Sequence, residues 1–302
     1  MANNLSKIDL SKIGTEQQNF ATSKLDELSV EQALSLMNNE DKKVADSISK
    51  ELSGISKAVK LIVEGFKNEG RLFYIGAGTS GRLGVLDAAE CVPTFGVSPE
   101  MVQGIIAGGE KAFLKAVEGA EDSLIGASQD LKLKNLSNKD VVVGLAASGR
   151  TPYVIGGLKY AAEIGAKTIS VACTKNAEIS NLADVSIEVD AGPEFLTGST
   201  RLKSGTVQKL ILNMFSTVAM AQIGKVYGNL MVDVQPTNAK LEARAKRIIM
   251  LATDVDYETA AKVYEQANKN VKVAIVMCLK NYSFEVASQK LQAANGFIRK
   301  VV

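Results

Sequence analysis

The sequence predicts an α/β protein with a doubly wound, five-stranded parallel sheet. From Arg71 onwards, five short apolar runs alternate with helical patterns, and the first three runs are closed by Gly or Ser. Uninterrupted apolar runs are typical of strands buried on both faces, and their alternation with helices favours right-handed crossovers and parallel strands. The predicted strands are Leu72–Ile75, Met101–Ala107, Val141–Ala147, Thr168–Cys173 and Val185–Val189.

Residues 1–70 are predicted to be helical and to pack on the sheet domain. Ser29 and Gln32 have the spacing of a capping box at a helix start. Between Val44 and Phe66, apolar residues recur every three or four positions. This spacing places them on one face of a single longer helix, which Gly70 is expected to end.

The chain after the last predicted strand is also expected to be helical. A long helix is predicted from about Leu202 to Gly224, and Val271–Leu279 is apolar enough for a buried helix. Asp256 and Asn281 lie in segments that resemble capped helix starts. We therefore predict a sheet domain over residues 71–230 and a small helical subdomain over residues 231–302.

Charge and composition argue against several classes of partner. Lys and Arg number 35 against 33 Asp and Glu, which gives a net charge of +2, and no basic run could follow a nucleic acid backbone. No signal peptide and no uncharged apolar run of about 18 residues is found, so neither secretion nor a membrane location is expected. The cysteines Cys91, Cys173 and Cys278 are far apart, which favours reduced thiols and a cytoplasmic protein over a disulfide framework or a zinc site.

The sequence contains no histidine. This excludes Ser-His-Asp hydrolysis, Cys-His proteolysis, His-ligated zinc and proton transfer by imidazole. Acid–base chemistry would therefore use Glu, Asp, Lys, Tyr or Cys.

The loop after the first predicted strand has the composition of an anion site. In the segment Gly76–Arg82, Gly78 and Gly81 allow close approach of the backbone, and Thr79 and Ser80 offer hydroxyl groups. The helix that follows would present free N–H groups and the positive end of its dipole. A glycine turn without a ligand is the alternative interpretation of this loop alone.

The loop after the third predicted strand is a second candidate. Ser148, Gly149, Arg150 and Thr151 precede Pro152, which is well placed for the first turn of a helix. Because ligands bind beyond the carboxyl ends of parallel strands, both loops are expected to face one anion.

A dinucleotide site must also be weighed, because the first loop matches G-x-G-x-x-G. That motif requires an acidic residue at the end of the next strand to bind the ribose. Here the next strand ends in Gly108 and Gly109, and Glu110 lies too far along the chain. The missing acidic residue argues against a dinucleotide.

Two groups of carboxylates are candidate catalysts. Glu90 has small and apolar sequence neighbours, and such surroundings would raise the pKa of a carboxyl group and favour a general acid. Glu118, Glu121 and Asp122 follow the second predicted strand, and any of them could serve as a base. The alternative interpretation, which is the more common one for an acidic cluster or a single Glu on a helix, is a solvent-exposed face without a catalytic role.

A third polar segment follows the fifth predicted strand. Its Glu194, Ser199 and Thr200 could complete a ligand site, with Arg201 and Lys203 supplying positive charge. The alternative is an ordinary capped helix start whose basic residues face solvent.

The segment Gly76–Cys91 resembles the signature of the N-acetylmuramic acid 6-phosphate etherases, which have the sugar isomerase (SIS) fold. The resemblance extends over nearly the whole chain. Further similar segments are Ile106–Glu110, Ala116–Asp122, Ala146–Tyr153, Thr197–Arg201 and Gly228–Val234.

The resemblance implies a lyase that releases D-lactate and N-acetylglucosamine 6-phosphate by elimination and hydration, without a metal or cofactor. By motif position, Glu90 would protonate the lactate and Glu121 would be the base at C2. The resemblance also implies that hydroxyls of both loops hold the sugar phosphate and that the protein is a homodimer. Two alternatives within this fold are a non-catalytic sensor of phosphosugars and an aldose–ketose isomerase.

Overall fold

The computed structural model describes residues 14–234 and 238–302. It confirms the five-stranded sheet, in which all neighbouring strands are parallel and the order is β2-β1-β3-β4-β5. The winding reverses between β1 and β3, so the loops after these two strands flank the crevice in which doubly wound sheets bind ligands. The strands are β1 (Leu72–Gly76), β2 (Val102–Ile106), β3 (Val141–Leu145), β4 (Lys167–Ala172) and β5 (Val185–Glu188).

Helices precede, connect and follow the strands. The capping box at Ser29 and the position of Pro152 at the first turn of a helix are both confirmed. The helices are α1 (Val30–Ser49), α2 (Leu52–Lys67), α3 (Gly78–Phe95), α4 (Lys111–Leu114), α5 (Gly126–Leu133), α6 (Pro152–Ile164), α7 (Lys203–Gln222), α8 (Ala239–Thr253), α9 (Tyr257–Gln266), α10 (Val271–Lys280) and α11 (Phe284–Ala293).

The prediction of a single helix across residues 44–66 is wrong, because Lys50 and Glu51 are not helical and separate α1 from α2. The apolar spacing continues through the break, so periodicity alone could not reveal it. The Glu51 carboxylate accepts a hydrogen bond of 2.6 Å from Lys175 Nζ, in the loop after β4. This long-range contact lies at the interruption between the two helices.

The chain divides into two compact units. The first contains the described residues up to Ala88 together with 102–215, and therefore the whole sheet and the helices α1 and α2. β1 and β3 are completely buried, as their apolar sequences predict. The core between the sheet and the α5–α6 side includes Phe73, Ile75, Leu131, Val142, Tyr153, Val154 and Leu158.

The second unit contains residues 89–101 and 216–302, and its core is helical. The first half of α10 is buried as predicted, whereas Leu279 near its end is exposed. The side chains of Asp256 and Ser283 cap α9 and α11. The division differs from the predicted domain boundaries because it falls inside α3 and α7, where no linker marks it in the sequence. Among the described residues, no helix is both long and apolar enough to cross a lipid bilayer.

Asp140 fixes the amino ends of β1 and β3. Its carboxylate accepts hydrogen bonds from the backbone N–H of Arg71 at 2.8 Å, from the Arg71 guanidinium at 2.7 Å and from the backbone N–H of Ser137 at 2.8 Å. Burial acts to raise the pKa of Asp140, but these hydrogen bonds outweigh it and the pKa is lowered. The ionised carboxylate is therefore the form that the fold stabilises.

We expect Asp140→Asn to lower the free energy of unfolding by about 3 kcal/mol at neutral pH, because it leaves a partly buried guanidinium without its counter-charge. A lowered pKa gives stability that is fully present above the unfolded value of about 3.9 and is lost as the pH falls through the folded value. Urea unfolding at several pH values should show the difference between wild type and variant shrinking below about pH 4. A difference that stayed constant into acid would contradict this assignment.

Candidate active site

The turn from β1 into α3 is possible only with glycine at two positions. A Cβ atom on Gly76 would lie 2.8 Å from the backbone nitrogen of Gly81, and one on Gly81 would lie 2.6 Å from the carbonyl oxygen of Gly76. Gly78, at the first position of α3, has a φ of +53°, which favours glycine. The strand therefore runs almost directly into the helix, whose N-terminus faces the crevice.

The hydroxyl groups of this turn lie against α7. Ser80 Oγ donates a hydrogen bond of 2.8 Å to Gln208 Oε1, and both side chains are buried. A Cβ on Gly205 would lie 3.5 Å from Thr79 Cγ2, so the first turns of α7 pack on the same loop. Thr79 itself is half-buried.

The loop between β3 and α6 is shaped by Gly149. This residue has a φ of +71°, and a Cβ there would lie 2.4 Å from Cβ of Ala177. Its carbonyl oxygen accepts a hydrogen bond of 3.0 Å from the Ile179 N–H. Ser148 and Thr151 are half-buried, and Arg150 is exposed. Thr151 precedes α6 without a side-chain bond to that helix, so its hydroxyl is not used in capping.

A cavity of about 210 Å³ opens beside the first of these loops. Its lining includes Gly78 at the start of α3 and both Glu118 and Glu121 from the segment after β2. Other lining residues are Ala77, Arg82, Ala107, Ala112, Ala116, Val117, Gly119 and Ala120. Six of these eight other lining residues are glycine or alanine, which leave space beside the two glutamates.

Arg82 holds one wall of the cavity in place. Its guanidinium donates to the carbonyl oxygens of Phe113 at 2.8 Å and Ala112 at 2.7 Å, both in α4. These two bonds tie the start of α3 to the segment that leads to Glu118. Arg82 therefore holds α4, which ends four residues before Glu118, against the start of α3, and no sequence motif indicates this contact.

Glu121 is joined to α6 through its backbone. Its carbonyl oxygen accepts a hydrogen bond of 3.0 Å from the Tyr153 N–H, in the first turn of α6. The buried Tyr153 hydroxyl donates to Asp130 at 2.6 Å, and burial together with this bond raises the pKa of the tyrosine. A Cβ on Gly156 would lie 1.7 Å from the carbonyl oxygen of Leu124, so the segment lies directly on α6. Glu121 is thus fixed next to the loop that carries Thr151.

Glu90 lies near the end of α3, in the second unit, and it is exposed. The apolar burial expected for it is wrong for this chain. Its small and apolar sequence neighbours occupy two faces of the helix. Ala88 and Cys91 are on the buried face, whereas Leu86 and Pro93 share the exposed face with Glu90.

Glu194 does not have a free carboxylate. It is completely buried, and it accepts hydrogen bonds from the backbone N–H groups of Lys203 at 2.8 Å and Ser204 at 2.9 Å. It therefore satisfies the N-terminus of α7, a role that matches the alternative of a capped helix start. The expectation that Glu194 binds substrate directly finds no support in this geometry.

Lys203 supplies its charge to the protein interior. Only 1% of its side chain is exposed, and Nζ lies 2.8 Å from Glu40 of α1 and 2.9 Å from the carbonyl oxygen of Ala191. The expectation that Lys203 offers positive charge to a ligand is therefore wrong. Ser199 and Thr200 remain half-buried in the loop before α7, and Arg201 is exposed. Within the described residues, no three Cys, Asp or Glu side chains converge on a possible metal position.

Comparison with known proteins agrees with this architecture. Residues 54–162 match the sequence profile of the glucokinase regulatory protein N-terminal SIS domain, and residues 122–218 match that of the SIS domain. These matches confirm the SIS fold that the sequence resemblance implied.

Several full-length relatives are named as N-acetylmuramic acid 6-phosphate etherases. N-acetylmuramic acid 6-phosphate etherase 2 of Enterococcus faecalis is 62% identical over 295 residues, which cover 98% of this chain and 100% of that protein. The N-acetylmuramic acid 6-phosphate etherase of Geobacillus sp. is 60% identical, and that of Listeria welshimeri is 62% identical, each covering 97% of this chain and 99% of the relative. The chain belongs to the N-acetylmuramic acid 6-phosphate etherase family.

Proposed function

We propose that this chain is a carbon–oxygen lyase that cleaves the D-lactyl ether of N-acetylmuramic acid 6-phosphate. The products are N-acetylglucosamine 6-phosphate and D-lactate, and the reaction serves the recycling of cell-wall amino sugar in the cytoplasm. The observation that carries the proposal is the 62% identity over 98% of the chain to an etherase. The cavity that joins two carboxylates to a glycine-rich helix start supports it.

The phosphate of the substrate binds at the two loops beyond β1 and β3. Thr79 and Ser80 offer hydroxyl groups at the start of α3, and Ser148 and Thr151 offer them from the second loop. The N–H groups and dipole at the start of α3 favour a negative charge at the same place. The phosphate thus anchors the sugar, and the cavity beside Gly78 receives the part that reacts.

The reaction begins with the open-chain sugar, whose C1 aldehyde makes the C2 proton acidic. A base removes this proton, the electron pair forms the C2–C3 double bond, and the C3–O bond breaks. An acid protonates the lactyl oxygen as it leaves. Water then adds across the double bond, with its oxygen at C3 and a proton at C2. The sum is substrate plus water giving the two products.

We assign the base to Glu121 and the acid to Glu90. Glu121 lines the cavity, and its backbone is held by Tyr153, so its position is defined relative to the second phosphate loop. Glu90 lies on α3, the helix whose N-terminus carries the first phosphate loop, and its exposure leaves the carboxyl group accessible. Each well-placed proton transfer contributes a rate factor of about 10² to 10⁴.

The functional form is proposed to be a homodimer. Val30 and Leu34 of α1 are large apolar residues that are exposed in the single chain, and the amphipathic helix offers them as a contact face. Sedimentation equilibrium should give twice the mass of the chain. A single-chain mass at micromolar concentration would contradict the dimer without affecting the proposed reaction.

The test of the reaction is incubation of the purified chain with N-acetylmuramic acid 6-phosphate, followed by enzymatic assay of D-lactate and mass spectrometry of the sugar. Stoichiometric D-lactate and N-acetylglucosamine 6-phosphate are expected. An isomerase would give a ketose phosphate that keeps its lactyl group, and a sensor would bind the sugar phosphate without turnover. Either of these outcomes would overturn the proposal.

A further inference from the structure

A buried hydrogen-bond donor behind the first phosphate loop has no partner. Gln208 lies on α7 with 1% of its surface exposed, and its Oε1 accepts the proton of Ser80 Oγ at 2.8 Å. Its Nε2 is buried and makes no hydrogen bond to any described residue. Leaving a buried N–H group unsatisfied costs about 1–3 kcal/mol, so this orientation of the Gln208 amide is energetically unfavourable.

The same hydrogen bond prevents the Ser80 hydroxyl from donating its proton to an anion. A hydroxyl group has one proton, and in this arrangement the Ser80 proton points at Gln208. A phosphate dianion accepts hydrogen bonds and donates none. For Ser80 to donate to a phosphate, its proton must turn away from Gln208, which would leave Oε1 without a donor.

Half a turn of the carboxamide group solves both problems. It exchanges Oε1 and Nε2, so that Nε2 donates to Ser80 Oγ while the Ser80 proton points towards the phosphate. The orphaned donor then has an acceptor. Oε1 of Gln208 then lies in the position that Nε2 occupied. There it has no donor, but a carbonyl oxygen without a partner is tolerated better in protein interiors than an unpaired N–H.

We propose that Gln208 is a positioning residue whose amide reverses when the sugar phosphate binds and thereby turns the Ser80 proton towards the phosphate. The inference rests on the proposed function, because it concerns how that site takes up its phosphate. Gln208 would act only through Ser80. Its effect should therefore fall on binding of the phosphate group, and the proton transfers should keep their rates.

The test compares Gln208→Glu with Gln208→Met by calorimetric titration with N-acetylglucosamine 6-phosphate and by steady-state kinetics. An ionised Glu offers acceptors alone and holds the Ser80 proton, so Kd and KM should rise about tenfold or more with kcat little changed. Met fills the space and leaves Ser80 free to rotate, so a loss of roughly twofold to tenfold is expected. Equal losses in the two variants, or losses confined to kcat, would overturn the inference.

The second measurement adds Ser80→Ala to each variant and to wild type. If Gln208 acts through the hydroxyl, replacing Gln208 by Met should cause no further loss once the hydroxyl is gone. Losses that add would mean that Gln208 acts by packing or charge. Thermal melting shows whether Gln208→Glu folds. If it does not, the double-mutant cycle of Gln208→Met and Ser80→Ala still shows whether Gln208 acts through the Ser80 hydroxyl. Titration needs no turnover, so it tests the inference even if wild type releases no lactate.

Discussion

Glu90→Gln should stop the release of D-lactate while the C2 proton of the substrate continues to exchange with deuterated water. Gln keeps the size of the side chain but has no acidic proton to give to the leaving oxygen. Removal of the C2 proton would still occur and reverse, because it precedes departure of lactate. The rate of lactate release should fall by about 10² to 10⁴, measured by coupled assay, with exchange followed by NMR.

Glu121→Gln should lose both signals, because without the base no carbanion forms. Glu118 lines the same cavity, so Glu118→Gln is the variant that separates the two candidate bases. Asp122→Asn is the matched control, since Asp122 is an exposed carboxylate in the same segment and is not among the lining residues of the cavity. It should retain wild-type lactate release and exchange.

Three results would contradict the assignment. Lactate release that survives in Glu90→Gln while exchange disappears would reverse the two roles. Loss of exchange in Glu118→Gln together with its survival in Glu121→Gln would move the base to Glu118. A strong loss in Asp122→Asn would mean that the whole acidic segment, and no single carboxylate in it, is required.

The sheet and the glycine-rich turns after β1 and β3 could be predicted from the sequence because their signals are local. A strand buried on both faces is apolar throughout, as in β1 and β3, and a glycine needed for close backbone approach stands in the sequence at the place where it acts. The resemblance to the etherases depends on these same segments. Local chemistry and family motifs therefore point to the same residues.

Contacts between distant segments could not be predicted in this way. The bond from the Tyr153 N–H to the Glu121 carbonyl and the two bonds from Arg82 to the chain around α4 join separate parts of the sequence through backbone oxygens, which every residue has. No residue type in the sequence indicates these hydrogen bonds. The break between α1 and α2 was missed for a related reason, since the contact of Glu51 is with Lys175.

Polar residues near a helix start can bind a ligand or the helix itself, and sequence alone does not distinguish the two. Glu194 and Lys203 were expected to face a ligand, yet one binds the backbone at the start of α7 and the other pairs with Glu40. A carboxylate that caps a helix and one that binds a sugar have the same sequence appearance. Burial separates them, and the partner that is buried with Lys203 is Glu40 of α1, which lies far away in the chain.

That buried pair leads to the largest stability effect we expect. Glu40 and Lys203 have side-chain exposures of 5% and 1%, and their charged atoms are 2.8 Å apart. Burial acts to raise the pKa of Glu40, but hydrogen bonds from Lys203 and Lys43 outweigh it and the pKa is lowered. Removing one partner of a buried pair typically costs about 3–5 kcal/mol, because the other charge is left without compensation.

We expect Glu40→Met to lower the free energy of unfolding by about 3–5 kcal/mol in urea titrations followed by circular dichroism. Lys203→Met should cost less, since the exposed Lys43 still pairs with Glu40. Without Glu40, the partner left to Lys203 Nζ among the described residues is the carbonyl oxygen of Ala191. Glu27→Ala is the matched control, because its pair with Lys24 is exposed and should contribute less than about 1 kcal/mol.

The double variant Glu40→Met with Lys203→Met decides what the pair does. Two apolar side chains of similar length can replace a buried ion pair with little or no loss of stability, so the double variant should regain most of what Glu40→Met alone loses. If the double variant regains stability but has a raised KM for the sugar phosphate, the pair positions the loop of Ser199 ahead of α7. Additive losses would contradict a charge-pairing role and point to packing, since two independent volume changes have no reason to compensate each other.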